Sequence, residues 1–356
     1  MTNPDSRHRL DGLEPDNLLA FLALLGLLRA LAAARLCWRP RAAWDLENPP
    51  LRPVLCLAKP QTREAVCAAA ADGTAELAAD YRFPQGTATD CPRQNDLTYS
   101  TETARQLLSD AASAEDRVRA DLWSALMSDV AEKDEKIEAT PLCLLFGQGH
   151  QHFLDRLADV PRIEAPPPRG RGKKAVALTA AETLHEALFQ PWTRQDPTPA
   201  FRWDPAEDVR YALRADDPSG DKSLTQHGAN RLAALGLPVL TATPARRGDR
   251  VRLQLVGGRF ERGEFTLCWP VWREPASLAA IRALLTHPGL GEGPSALAHL
   301  GVVEIRRTRR IGVGKFWNVT RADAIGAERK TTVALTQLFG APIRVKRRGS
   351  DEAASG

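Results

Sequence analysis

The segment Leu18–Leu28 (LLAFLALLGLL) has no polar side chain along eleven consecutive residues. A membrane-spanning helix needs about 20 apolar residues, and a signal peptide starts with a basic, acid-free region. This run is shorter than a membrane span and follows four acidic residues, so it predicts a buried helix over about 17–35. Asp16 or Asn17 is suited to cap its start. Gly26 within it indicates a close approach to another helix.

The length of 356 residues is enough for about two domains. An apolar fraction of 43% and a charged fraction of 26% are typical of a globular protein and exclude wholesale disorder. Three consecutive prolines followed by glycines and basic residues predict a linker or mobile loop at 161–178. This segment would separate a mainly helical, acidic domain at 1–160 from a basic, mixed domain at 179–348. Residues 349–356 are predicted to form a disordered tail.

Two β-hairpins are predicted in the second half of the chain. Arg250–Val256 alternates polar and apolar residues, and Phe260–Trp269 is expected to pair with it across the intervening Gly257–Gly258 turn. A second, basic hairpin is expected from Val302–Arg307 and Arg310–Val319. Together with the helical first half, these hairpins place the protein in the α+β class.

The net charge of +4 conceals a strong asymmetry along the chain. Residues 1–160 carry 17 Lys and Arg against 24 Asp and Glu, a net charge of −7. Residues 161–356 carry 31 against 20, a net charge of +11, and 301–350 alone holds 12 basic and 3 acidic residues. Such a distribution predicts a polyanionic partner for the basic part, and the alternative is a solvated, arginine-rich surface.

Four basic clusters account for this charge. The densest lies in Val303–Thr320 (VEIRRTRRIGVGKFWNVT), where arginines suited to phosphate contacts adjoin Phe and Trp side chains suited to base stacking. Each cluster alone is equally compatible with an exposed polar strand face. The candidate nucleic-acid-binding residues are Arg306, Arg307, Arg309, Arg310, Lys315, Trp317, Arg344, Lys346, Arg347, Arg348, Arg169, Arg171, Lys173, Lys174, Arg246 and Arg247.

Motifs for catalysis, nucleotides and metals are weak or missing. The sequence has no G-x-S-x-G nucleophile elbow. Gly312–Lys315 resembles part of a phosphate-binding loop, but Phe316 replaces the Ser or Thr that holds magnesium. His150 and His152, in GQGHQHF, converge on one metal only from a strand or a loop, and we favour a structural role at the start of the next helix. Paired carboxylates elsewhere are interpreted as turns and helix caps.

The six cysteines include no C-x-x-C pair and no zinc-finger spacing. Cys56, Cys143 and Cys268 lie in apolar runs and are predicted to be buried. Free cysteines of this kind are typical of the reducing cytoplasm, where we expect the protein to reside. No cofactor, metal or membrane association is predicted.

Four blocks of sequence resemble proteins of type I CRISPR–Cas operons, notably subtype I-G, formerly I-U. They are Asp11–Leu31 (DGLEPDNLLAFLALLGLLRAL), Asp217–Leu240 (DPSGDKSLTQHGANRLAALGLPVL), Leu142–Leu154 (LCLLFGQGHQHFL) and Trp269–Leu278 (WPVWREPASL). The first is similar to the opening of large-subunit-like Cascade proteins, and the second to a block of the same large-subunit-like or accessory family. None of the four is a catalytic signature.

The resemblance implies a non-catalytic component of RNA-guided DNA interference. Guide RNA reads the sequence in such complexes, and the proteins hold the nucleic-acid backbone. The implied partners are guide RNA or target DNA, other Cascade subunits and the recruited helicase–nuclease. Two alternatives remain open, namely a metal-dependent nuclease or hydrolase using His150 and His152, and a structural module that binds an acidic protein.

Overall fold

The structure is a computed structural model of the chain. It describes residues 5–83, 97, 99–114, 117–133, 135–145, 153–207, 224–313 and 316–325. The helices in these ranges are α1 (Leu18–Ala34), α2 (Arg63–Ala78), α3 (Thr101–Ser113), α4 (Arg117–Leu126), α5 (Phe153–Asp159), α6 (Ala180–Phe189), α7 (His227–Gly236), α8 (Leu278–Thr286) and α9 (Pro294–Leu297).

The strands are antiparallel and form open sheets. Their bounds are β1 (Asp5–Arg9), β2 (Arg41–Asp45), β3 (Arg52–Gln61), β4 (Glu132–Lys133), β5 (Lys136–Ile137), β6 (Ala242–Arg247), β7 (Arg250–Leu255), β8 (Gly258–Glu261), β9 (Glu264–Trp272), β10 (Val302–Val313), β11 (Phe316–Val319) and β12 (Asp323–Ile325). One sheet has the order β1-β3-β2 and another the order β11-β10-β9-β8, with β12 paired to β10. The α+β class is therefore confirmed.

Helix α1 is the buried helix that the apolar run predicts. The Asn17 side chain caps it by accepting a hydrogen bond from the Ala20 N–H, and every residue from Leu18 to Leu31 is buried. A Cβ added to Gly26 would lie 1.8 Å from the Leu232 carbonyl oxygen on α7, so the close helix approach is also confirmed. Within the described ranges, no helix is both long and apolar enough to cross a bilayer.

The predicted domain division at 161–178 does not separate two cores in the described residues. Helix α1 packs on α7 and helix α2 packs on α6, so elements from both sides of the segment share one hydrophobic core. Ala42 and Ala276 also exchange two backbone hydrogen bonds, of 2.9 and 2.8 Å. The Arg231 side chain binds the Pro161 and Glu164 carbonyl oxygens, which packs the start of the segment against α7. The amino-acid composition predicted that segment 161–178 is irregular, but it did not predict that the segment packs against α7.

Both predicted hairpins need correction. Strand β7 pairs with β6, whereas β8 pairs with β9 across a two-residue turn at Arg262 and Gly263. Both turn residues have positive φ, of 50° and 96°, which matches the hairpin twist of a type I′ turn. Strand β10 does not turn at Thr308 but continues to Val313, and its last four residues, Arg310–Val313, pair with β11. It stays extended because β9 pairs with it from Val302 to Arg309.

Candidate nucleic-acid interface

The basic loop, which we define as residues 169–176, has a fixed base. Arg169 and Val176 exchange two backbone hydrogen bonds, of 2.9 and 2.8 Å, which close the loop like a short piece of sheet. Gly170 and Gly172 both have positive φ, of 95° and 59°, a conformation that glycine adopts without steric cost. The sequence GRGKK therefore produces a tight turn rather than a freely moving linker.

The Arg169 side chain anchors this loop. Its guanidinium group donates to both carboxylate oxygens of Glu186 on α6, at 2.9 and 2.8 Å, and to Asp196 at 2.9 Å. The hydrogen bond with Glu186 and those with Asp196 raise the pKa of Arg169, although partial burial acts in the opposite direction. Arg169 was a candidate phosphate ligand, but its hydrogen-bonding capacity is directed into the protein. We therefore assign it a positioning role.

The tip of the basic loop points its cations into solvent. Arg171, Lys173 and Lys174 are exposed, and all residues from 171 to 177 are exposed. None of these three side chains has an ion pair among the residues that the structure describes. Three positive charges without an ion pair among the described residues therefore lie together on an anchored turn and produce a local positive potential.

Strand β10 divides its arginines between two faces, because successive side chains of a strand alternate. Arg306 and Arg310 share the face that packs inward. Arg306 forms an ion pair with Glu304 and has a side-chain exposure of 17%. Arg310 donates to the Pro141 carbonyl oxygen at 3.1 Å and stacks over the Trp317 ring at 4.5 Å. Burial lowers the pKa of Arg310.

The opposite face of β10 carries Arg307 and Arg309. Arg309 is exposed and has no ion pair among the described residues, whereas Arg307 lies 3.7 Å from Glu261. The register also places Arg259 of β8 on this face, since it is opposite Thr266, which is opposite Arg309. Arg259 is missing from the sequence-based candidates because it lies outside the basic clusters of the sequence. It reaches this face through the β8–β9 pairing and forms an ion pair with Glu261.

The Trp317 ring contacts a neighbouring cation. Its side chain is 37% exposed, while the Arg310 guanidinium group covers one part of the ring. The contact is a cation–π interaction, which holds Arg310 in place and leaves only the remaining ring surface for a ligand.

The β6–β7 hairpin displays Arg246 and Arg250, both of which are exposed. Arg246 donates to the Gly248 carbonyl oxygen at 3.2 Å, whereas Arg252 is paired with Glu138 at 2.6 Å. The remaining candidates lie outside what the structure describes. They are Lys315, Arg344, Lys346, Arg347 and Arg348, the side chain of Arg247, and the alternative metal ligands His150 and His152.

A buried polar cluster near the basic loop was not predicted from the sequence. His227, at the start of α7, contacts the Thr198 hydroxyl at 3.2 Å and the Ile163 carbonyl oxygen at 2.8 Å. Its side chain is fully buried, and this burial lowers the pKa of His227 to about 4. Asp196 accepts from the His227 backbone N–H at 3.2 Å and so links the cluster to Arg169.

Among the described residues, no group of three or more His, Cys, Asp or Glu side chains is arranged to hold a metal ion. Comparisons of the chain with models of protein families, with curated proteins and with solved structures find no match.

Proposed function

We propose that this protein binds the sugar–phosphate backbone of nucleic acid and does not catalyse a reaction on it. The observation that carries the proposal is the basic loop, whose base is fixed by Arg169. Its cations Arg171, Lys173 and Lys174 are exposed and have no carboxylate partner in the part of the chain that the structure describes. Anchoring lowers the conformational entropy that such a loop loses when it binds a ligand.

The chemistry of the exposed cations favours contacts that do not depend on base sequence. Arginine and lysine bind phosphate oxygens and release counterions from the nucleic acid, so affinity falls as salt concentration rises. Arg309 and the hairpin residues Arg246 and Arg250 provide further exposed cations of the same kind. We propose that these cations and the basic loop contact the backbone of the same nucleic-acid strand.

We place this activity in a type I CRISPR interference complex in the cytoplasm. The support is the resemblance of four sequence blocks to large-subunit-like or accessory Cascade proteins. In that setting the protein contacts guide RNA or target DNA together with other Cascade subunits, and it lies near the recruited helicase–nuclease. The guide RNA supplies sequence recognition, which agrees with a surface suited to backbone contacts.

The test is a salt titration of oligonucleotide binding. Arg171→Ala, Lys173→Ala and Lys174→Ala are combined in one variant, and binding of a mixed-sequence single strand is measured by fluorescence anisotropy. Each phosphate contact contributes about 0.7 to the slope of log affinity against log salt for single strands, so three lost contacts lower the slope by about 2.

A matched control removes the same charge from a different surface. Arg35, Arg105 and Arg117 are exposed but paired with Asp72, Asp129 and Asp121, respectively. Their triple alanine variant is expected to retain the wild-type slope. An equal decrease of the slope in both variants would show a nonspecific charge effect. Oligonucleotide cleavage by the pure protein with added divalent cations would refute the non-catalytic assignment.

A further inference from the structure

The three-stranded sheet near the N terminus places two arginines beside a cysteine. Strand β3 is central, and its Cys56 lies opposite Arg7 of β1 on one side and Arg41 of β2 on the other. Directly opposed residues of antiparallel strands project on the same face. Adjacent strands are about 4.8 Å apart, so Arg7 and Arg41 begin about 10 Å from each other and flank the thiol.

A pocket of about 280 Å³ opens on the Arg41 side of this row. Its lining includes Arg39, Arg41 and Cys56, with apolar walls from Leu57 and Pro275. Arg39 enters β2 from the left-handed region, at φ 45°, which turns the chain immediately before the strand. Both arginine and apolar residues therefore line the pocket.

The arginines of this row are not used for internal ion pairs. Arg7, Arg39 and Arg41 are exposed and have no carboxylate partner within the described part of the chain. Arg9 provides a contrast, because it occupies the same strand face as Arg7 but is bound by Asp11 and Asp45. On this sheet, two carboxylates neutralise Arg9, whereas Arg7 and Arg41 have no carboxylate partner among the described residues.

The electrostatics around Cys56 agree with this contrast. Burial raises the pKa of the Cys56 thiol, and Arg7 and Arg41 are the charged groups that oppose the rise. A negatively charged ligand group at this position would thus meet two guanidinium groups. The Asp5 carboxylate lies beside the row but accepts a hydrogen bond from the Arg7 backbone N–H, at 3.0 Å.

We propose that Arg7, Arg39 and Arg41 form a second phosphate-binding site, which we call the N-terminal arginine site, for the backbone of nucleic acid. The proposal rests on the proposed function and extends it to the acidic half of the chain. Guanidinium groups match phosphate oxygens with paired hydrogen bonds, and the apolar pocket walls fit the sugar or base next to the phosphate. The net charge of −7 for residues 1–160 conceals this site, because strand register rather than sequence proximity assembles it.

The first test compares two double variants of the full-length protein. Arg7→Ala with Arg41→Ala removes the N-terminal arginine site, and Arg105→Ala with Arg117→Ala removes equal charge from exposed, paired positions. In a salt titration with a mixed-sequence single strand, the first variant is expected to lower the slope by about 1.4 and the second to leave it unchanged. Equal slopes in the two variants, with unfolding midpoints like that of the wild type, would overturn the proposal.

The second test uses Cys56 as an internal reporter. Cys56 is partly exposed and Cys37 is exposed, whereas Cys67, Cys143 and Cys268 are buried. Mass spectrometry of the separate peptides follows the alkylation of Cys56 by iodoacetamide, with Cys37 as the internal reference. Saturating oligonucleotide is expected to slow Cys56 alkylation several-fold in the wild type. The same slowing is expected in the Arg105 and Arg117 control variant.

The two tests separate failure of this site from failure of the proposed function. If the wild type binds the oligonucleotide, the basic-loop variant binds with a lower slope, and Cys56 reactivity does not change, then the N-terminal arginine site is refuted and the proposed function stands. If the wild type binds no oligonucleotide even at low salt, both proposals are refuted.

Discussion

The contact between helices α1 and α7 and the basic loop differ in how much change each tolerates. At the helix contact, added Cβ atoms on Gly26 and Gly236 would lie 1.8 and 1.9 Å from carbonyl oxygens of the opposite helix. At the loop, a Cβ added to Gly172 would meet nothing within 4 Å, and the neighbouring side chains are exposed. The fold and the proposed binding activity therefore depend on residues that can be altered separately.

The same contrast applies to arginine. Arg231 is almost completely buried and binds carbonyl oxygens, and burial lowers its pKa to about 10. Arg171 is exposed and has no such partner among the described residues. Because both are arginines in the basic half of the chain, the residue type does not reveal which one stabilises the fold. The contacts of each side chain reveal which arginine stabilises the fold.

The largest expected effect is at the helix contact. Gly26→Ala forces the α7 backbone away from α1, and we expect a loss of about 3 kcal/mol or more in the free energy of unfolding, because closely packed backbones cannot absorb an added methyl group. Urea unfolding measures this loss. Gly248→Ala is the control, since its φ of 61° with open space predicts a loss of about 1–2 kcal/mol from backbone strain alone.

Acid is expected to destabilise the fold through the buried His227 side chain. His227 has a pKa of about 4 in the folded state against an ordinary value of 6.5, so the unfolded state binds the proton more readily. Stability attributable to His227 is therefore present above pH 6.5 and is lost as pH falls towards 4, by about 3 kcal/mol.

The measurement is urea unfolding from pH 7 to pH 4 for the wild type and His227→Gln. The variant is expected to lack this part of the pH dependence, and His299→Gln, at an exposed position, is expected to retain it. Identical pH profiles for the wild type and His227→Gln would contradict the assignment of a buried neutral imidazole.

Arg169→Ala tests whether Arg169 anchors the basic loop to the rest of the fold. It leaves the almost fully buried Asp196 carboxylate without its guanidinium partner, and we expect a loss of about 2 kcal/mol, between the values for exposed and buried pairs. Arg171→Ala, two residues away, is expected to change stability by less than about 0.5 kcal/mol. Thermal or urea unfolding distinguishes the two variants. Similar losses in the free energy of unfolding would argue against Arg169 as the anchor.

The smallest expected effect separates the two faces of β10. Arg309→Ala is expected to lower the salt slope of single-strand binding by about 0.7 with little change in stability. Arg310→Ala is expected to reduce stability, because it removes the Trp317 stacking contact and the hydrogen bond to Pro141, and to leave the slope unchanged. If Arg310→Ala instead lowered the salt slope and Arg309→Ala instead reduced stability, the solvent-facing and inward-facing sides of β10 would be assigned in reverse.

Local sequence pattern was sufficient for some elements. The uninterrupted apolar run predicted the buried helix α1, and Gly26 predicted its close contact, because both depend on residues within one helix. Pairing between strands was predicted less well. Gly257 and Gly258 predicted a turn, but the chain turns at Arg262 and Gly263, so β8 and β9 were expected as one strand.

The binding residues show the same limit. The sequence identified where basic residues cluster, but Arg169 and Arg310 have partners that are distant in the chain, such as Glu186 for Arg169 and Pro141 for Arg310. The row of Arg7, Cys56 and Arg41 likewise exists only after three strands pair. Side-chain roles that depend on tertiary contacts cannot be derived from charge patterning alone.

The most direct test of the central claim is the reactivity of the loop lysines with and without nucleic acid. Acetylation of Lys173 and Lys174 is followed by mass spectrometry in the full-length protein, with the exposed Lys136 on β5 as the internal reference. If the basic loop binds the phosphate backbone, saturating oligonucleotide slows acetylation of Lys173 and Lys174 and leaves Lys136 unchanged. Unchanged acetylation of both loop lysines, in a sample where anisotropy shows the oligonucleotide to be bound, would contradict the claim.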